Sequence, residues 1–209
     1  MTSQSFNSIL RSKRGGGGVV AFVRKTISVT ENQCATAGFE KLSLTLTDHN
    51  LSIRLIAYYR APLSTNIREF IDDVEQELLT SSAKTILLGD INIHAFNLAS
   101  KQSPSDRISA EYSELLESFD FLITNNKPTR CASGRVIDHF VCNFSRTLQV
   151  SNATIEYDQK FSDHNIVVSI VTLPNRSQHS KHVVNRIRTD FKKLSTNLPD
   201  IHAVFTSYN

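Results

Sequence analysis

Cysteine is scarce in this chain of 209 residues, at Cys34, Cys131 and Cys142 only. An odd number without a C-x-x-C pair excludes a disulfide frame and a cysteine zinc site. It reads as reduced thiols of an intracellular protein. No apolar run approaches membrane-spanning length. The opening Met-Thr-Ser-Gln-Ser-Phe-Asn-Ser has no apolar core of secretory size. The N-x-S/T triplets at Asn143, Asn152 and Asn175 therefore read as chance matches. Gly15 to Gly18 lack a following Gly-Lys-Ser/Thr, which excludes a nucleotide P-loop. His49, His94, His179 and His182 have no metal-ligand spacing, and no internal repeat is present. Charge is nearly balanced: the net +3 permits an anionic partner without requiring one. What remains, 40% hydrophobic and 21% charged, fits one globular domain.

The apolar pattern predicts a mixed α+β order. Val19 to Val23 reads as a strand. Leu42, Leu44 and Leu46 alternate with polar residues, Asp48-His-Asn50 turns, and Leu51 to Tyr58 returns as a hairpin partner. Ser64 or Thr65 is expected to cap a helix carrying Ile67, Phe70, Ile71, Val74 and Leu78 on one stripe. Thr85 to Leu88 is a strand, 97–106 a surface loop, and 107–119 a second helix with Ile108, Tyr112, Leu115, Leu116 and Phe119 inward. Strands follow at Phe121 to Thr124, Val136 to Cys142, Leu148 to Ile155 and Ile166 to Val171. Beyond Pro174 the chain is basic and polar, with a short amphipathic helix expected near 186–194.

Polar residues that interrupt apolar strands are the candidates for chemistry. In Lys84-Thr-Ile-Leu-Leu-Gly-Asp-Ile-Asn-Ile-His94, a buried run ends in Gly89, and Asp90 and Asn92 follow two apart. Residues two apart on extended chain share a side, so a carboxylate and a carboxamide face one way. They would hold a water or a metal-bound phosphate, or cap a turn. Asp138 lies within Val136-Ile-Asp-His-Phe-Val141, where a buried acid needs a partner; His164 of Phe161-Ser-Asp-His-Asn is the candidate, unless this is an edge strand with Asp138 facing water. His139 points to the opposite face and reads as structural. Asp163 can bind a metal or orient water beside that imidazole, and His164 can donate to a phosphate oxygen, or the pair belongs to a solvated loop. Tyr59 ends a strand with a phenol that can donate to an anion, or is a half-buried aromatic. Lys127 and Arg130, in Lys127-Pro-Thr-Arg130, form a cationic loop that meets phosphates or solvent.

Six segments form an ordered set: Arg14-Gly-Gly-Gly-Gly-Val-Val-Ala-Phe-Val, Tyr59-Arg-Ala-Pro, Leu87-Leu-Gly-Asp-Ile-Asn-Ile-His, Asn126-Lys-Pro-Thr-Arg, Ile137-Asp-His-Phe-Val and Ser162-Asp-His-Asn. The set resembles the endonuclease/exonuclease/phosphatase superfamily. More narrowly, it resembles the apurinic-type endonuclease domain of non-LTR (LINE-like) retrotransposons. The resemblance implies a DNase I-like four-layer α/β/β/α sandwich and Mg²⁺- or Mn²⁺-dependent cleavage of a DNA phosphodiester. It divides the chain into a polar segment 1–13, a partial domain 14–173 and a basic linker or start of a following region, 174–209.

By resemblance, Asp90 activates or positions the attacking water and touches the metal, and Asn92 holds the phosphate or that water. Asp163 contacts the metal, directly or through water, His164 donates to the scissile phosphate, Asp138 orients His164, and Tyr59 contacts the same phosphate. Lys127, Arg130 and Arg60 are the expected DNA contacts. DNA is the implied partner of a monomer placed in the nucleus, with no membrane attachment. The family begins with a strand bearing Asn and a strand ending in a metal-binding Glu. Asn7 and Glu31 lack the preceding apolar strands, so the first strands and the principal ligand are expected to be missing and Mg²⁺-dependent nicking to be slight. Two alternatives stand beside the endonuclease: a phosphatase of the same superfamily acting on a small phosphoester, and a non-catalytic remnant that binds nucleic acid weakly.

Overall fold

The computed structural model describes residues 6–11, 18–35, 38–48, 51–62, 66–81, 84–94, 107–125, 127–143, 149–155 and 162–172. The basic region beyond 172, its expected helix near 186–194, and the loop 97–106 lie outside them.

A six-stranded mixed sheet organises the fold. It contains β3 (Ser28–Ala35), β4 (Glu40–Asp48), β5 (Leu51–Tyr59), β6 (Lys84–Asp90), β7 (Leu122–Ile123) and β8 (Asp138–Cys142), in the order β3-β4-β5-β6-β8-β7. β4 and β5 form the expected hairpin, with Asp48 paired to Leu51. β6 runs parallel to β5, so the chain must cross over between them, and α1 (Ile67–Leu79) does so. α2 (Arg107–Ser118) precedes β7.

The central strands carry apolar runs, Leu55 to Tyr59 in β5 and Ile86 to Leu88 in β6, because both faces are covered. On one face Ile56, Tyr58, Leu87 and Val141 meet Phe70, Val74 and Leu78 of α1 and Tyr112 and Leu116 of α2. Phe70 sits edge-on to both Phe39 and Tyr58, at centroid distances of 5.6 and 5.3 Å. On the other face Leu42, Leu44, Leu55, Ala57 and Leu88 meet Val19 and Ala21 of β2 (Val19–Arg24) and, at the margin, Val150 of β9 (Gln149–Ile155) and Val171 of β10 (Ile166–Thr172). β2 pairs with β1 (Phe6–Arg11), and β9 pairs with β10, both antiparallel. The described residues thus form a helical layer, a large sheet and a layer of two small sheets. Three layers of the expected four are described.

Several expectations change. The segment 1–13 is not merely a polar lead: Phe6 to Arg11 is a strand, and Asn7 lies on it opposite Val23. Glu31 also lies on a strand, but on the exposed edge strand β3, with β4 and β5 between it and β6. Residue Asn66, not Ser64 or Thr65, precedes the first turn of α1, and it makes no side-chain capping bond. Ile108 is exposed, because α2 turns Ser109, Tyr112, Ser113 and Leu116 inward instead. Finally, β8 begins at Asp138, not Val136. The Val136 amide is taken by His94 Nδ1 and the Ile137 amide by the Thr129 hydroxyl, so neither enters the ladder.

Candidate active site

Three segments meet over the end of β6. β6 delivers Asp90 at its last position, opposite Tyr59 on β5 and opposite Asp138, the first residue of β8. The segment before β10 adds His164. Ligand atoms of Asp90, Asp138 and His164 all lie within 4.8 Å of one another. His164 Nδ1 and Asp138 Oδ2 are 2.8 Å apart, and the other ring nitrogen, Nε2, lies 3.9 Å from Asp163 Oδ1. A cleft of about 110 Å³ opens beside them, lined by Tyr59, Gly89, Asp90, Asp138 and Asn165 among others.

The electrostatics follow from crowding. Burial and the neighbouring Asp138 carboxylate push the Asp90 carboxyl up to about 7, against the opposing effects of His164, the Asn92 amide and Arg130. The bond to Asp138 raises His164 above its ordinary value, although burial opposes it. Burial and Asp90 raise the Tyr59 phenol as well. His139 faces the other way, is buried against Tyr112 and falls to about 4 through burial, so it stays neutral.

Asp90 and Asn92 come together by a different route from strand alternation. β6 ends at Asp90, and Asn92 adopts a left-handed φ of 50°. Asparagine tolerates that region better than most residues. In this turn the Asn92 amide donates to Asp90 Oδ1 at 3.2 Å, and its side-chain Nδ2 donates to the Arg60 carbonyl at 2.8 Å.

The remaining expected contact residues are placed as follows. Asp163 is not one of the three grouped ligands, but its Oδ1 lies 3.9 Å from His164 Nε2, and its Oδ2 accepts from Arg130 Nε at 3.0 Å. That ion pair also engages Arg130, expected to contact DNA. Arg60 is buried, and its guanidinium donates to the Ile91 and Asn92 carbonyls. Lys127 is exposed, as a phosphate contact requires.

The structure also reveals supports that sequence reasoning passed over. Thr129 is fully buried, and its Oγ1 accepts from the amides of both Ile137 and Asp138 at 3.0 Å. Its carbonyl accepts from the Asn165 amide, next to His164. Asn125 bridges the Asp138 carbonyl and the Phe140 amide. A hydroxyl residue inside Lys127-Pro-Thr-Arg130 was the available signal. Thr129→Val, which keeps the shape and removes the acceptor, is expected to strand two buried amides. It should cost about 2 kcal/mol, or roughly 6 °C in a thermal melt; an unchanged melt would show that the hydroxyl is dispensable.

Comparison with known proteins adds the family. A family model described as endonuclease-reverse transcriptase matches residues 53–168, which span every residue of the site from Tyr59 to His164. The chain belongs to the endonuclease-reverse transcriptase family. Among solved structures, the endonuclease domain of TRAS1, a telomere-specific non-LTR retrotransposon, aligns at a TM-score of 0.63 and 16% identity, covering 80% of this chain and 79% of that one. An endonuclease/exonuclease/phosphatase family protein from Leptotrichia buccalis aligns at 0.54 and 14% identity over 82% and 74% of the two chains. TDP2 of D. rerio, solved with a single-strand DNA product, aligns at 0.50 and 16% identity over 77% and 74%. No curated protein matches. These likenesses show that this family member has the DNase I-like α+β fold. No helix among the described residues is long and apolar enough to cross a membrane.

Proposed function

We propose that this chain is a metal-dependent DNA endonuclease domain of a retrotransposon, hydrolysing a phosphodiester to nick its target. The convergence of Asp90, Asp138 and His164 within 4.8 Å carries the reading. Two carboxylates brought this close repel unless a proton or a cation lies between them, and burial first, with that repulsion second, raises Asp90 to about 7. The donor set fits a divalent ion: Asp90 and Asp138 offer hard oxygens suited to Mg²⁺ or Mn²⁺. When bound, such an ion would neutralise charge developing on the scissile phosphate.

The chain's own groups supply the rest. Asp90, with its carboxyl near neutrality, accepts a proton from the attacking water. Asn92 sits beside it to orient that water or the phosphate. His164, held by Asp138 through Nδ1, directs Nε2–H to a phosphate oxygen. Tyr59 lines the same cleft with its phenol, and exposed Lys127 meets the DNA backbone. Among the described residues no glutamate joins the group, so weak metal affinity and slow nicking are expected.

Supercoiled plasmid with millimolar Mn²⁺ tests this. Slow conversion to the open circle is expected, abolished by chelator and lowered about 10²-fold or more by His164→Ala. Nicking that survives chelator or Asp90→Asn, or no metal-dependent nicking at high protein concentration, would overturn the proposal. Release of phosphate from a small phosphoester without nicking would favour the phosphatase alternative.

A further inference from the structure

Arg60 is only 5% exposed, and two of its side-chain donors are taken by backbone carbonyls. Nε donates to the Ile91 carbonyl at 2.8 Å and Nη2 to the Asn92 carbonyl at 3.0 Å. Its backbone amide donates to the Asp90 carbonyl at 2.9 Å. Residue 60 therefore holds three consecutive carbonyls, those of Asp90, Ile91 and Asn92. The turn replies once, through Asn92 Nδ2 to the Arg60 carbonyl at 2.8 Å.

These contacts sit where β6 has ended and the chain bends left-handed at Asn92. Only in that bend does the Asn92 amide reach Asp90 Oδ1. A guanidinium offers donors in a rigid planar fork, which spans two successive carbonyls. An ammonium cannot reproduce that spacing. Burial lowers the Arg60 guanidinium from its ordinary value, and the nearby Asp90 carboxylate opposes that only in part.

We propose that Arg60 is a positioning residue: by fixing the Asp90–Asn92 turn it sets the direction of the Asp90 carboxylate, and it does not contact DNA. The inference rests on the reading of Asp90 as a metal-holding carboxylate. It acts through the turn, so its loss should affect metal binding and not DNA binding.

The experiment compares Arg60→Lys, Arg60→Gln and Lys127→Ala with the unsubstituted chain. Mn²⁺ affinity is read by electron paramagnetic resonance, and affinity for a short duplex is read without metal across a range of salt. Both Arg60 variants should lose about tenfold or more in Mn²⁺ affinity, as outer-shell substitutions do. Arg60→Lys should lose it although the charge remains. Their DNA affinity and salt slope should match the unsubstituted chain, whereas Lys127→Ala should lower the slope by about 1 with Mn²⁺ affinity unchanged. A reduced salt slope in an Arg60 variant, or Mn²⁺ affinity that does not change, overturns the proposal.

If the unsubstituted chain binds no Mn²⁺, the reading of the metal site fails. The clamp is then judged separately, as it also is if neither variant folds. The Arg60 Nε–H resonance of the unsubstituted chain should exchange slowly with water; fast exchange overturns the proposal.

Discussion

Asp90→Asn is expected to make the metal-free protein more stable at pH 8 while removing Mn²⁺ binding and lowering nicking roughly a thousandfold. The folded chain holds the Asp90 carboxyl at about 7, against an ordinary value of 3.8. Between those values the folded state keeps a proton that the unfolded chain has released. Stability therefore declines as pH rises from about 4 to about 7, by an amount on the order of 4 kcal/mol. His164 acts in the same direction. Its folded value is raised, so its stabilising contribution is present below about 6.5 and is lost as pH rises through the folded value. Asparagine keeps an acceptor for the Asn92 amide and has no charge to desolvate.

Thermal melts by circular dichroism would show it. At pH 4 the two proteins should melt together, and at pH 8 the variant should melt higher by roughly 10 °C. Mn²⁺ at tenfold its dissociation constant should add about 1.4 kcal/mol to the unsubstituted protein and nothing to the variant. Melts that run parallel across this pH range would remove the basis for reading Asp90 as a crowded, metal-ready carboxylate. The expected trade is the usual one for a site that keeps a destabilising charge for its chemistry.

The sheet and both helices could be read because apolar periodicity reports directly which side of an element is covered. The hairpin of β4 and β5 and the stripe of α1 are of that kind. Periodicity failed where polar residues took over the backbone. Val136 and Ile137 read as strand because they are apolar, yet a histidine and a threonine had claimed their amides. Ile108 read as inward because it is apolar, yet two serines lie on the buried face of α2.

The site divides along the same line. Asp138 stood out because an acid inside an apolar run demands a partner, and His164 sits 2.8 Å away to meet that demand. Arg60 and Arg130 read as phosphate contacts because a cation near a polar motif carries no mark of its burial or of the group it faces. One turns to carbonyls and the other to Asp163. Thr129 and Asn125 act through backbone groups of residues far along the chain, and a sequence does not display such contacts.

Gly89→Ala is expected to destabilise the fold severely. Gly89 lies between Tyr58 of β5 and His139 of β8, at the point where β6 is flanked on both sides. Its φ is +127°, and an added Cβ would lie 1.9 Å from the Tyr58 carbonyl oxygen and 2.9 Å from the Tyr58 carbonyl carbon. The first distance is far inside any van der Waals contact, and the offending atom is backbone within a ladder. Relief would require β5 and β6 to part, and these strands carry Tyr59 and Asp90. The loss should be about 4 kcal/mol or more, a large share of the stability of an ordinary domain. Gly134→Ala separates this steric effect from the conformational one. Gly134 also has a positive φ, +65°, but an added Cβ would meet nothing within 4 Å. That variant should lose only about 1 kcal/mol. Soluble yield and melting of the two variants side by side decide the matter. A Gly89→Ala protein that melts close to Gly134→Ala would mean that β5 and β6 tolerate a wider spacing. The end of β6 would then be held chiefly by the bonds around Arg60 and Asn92, not by the close approach of the strands.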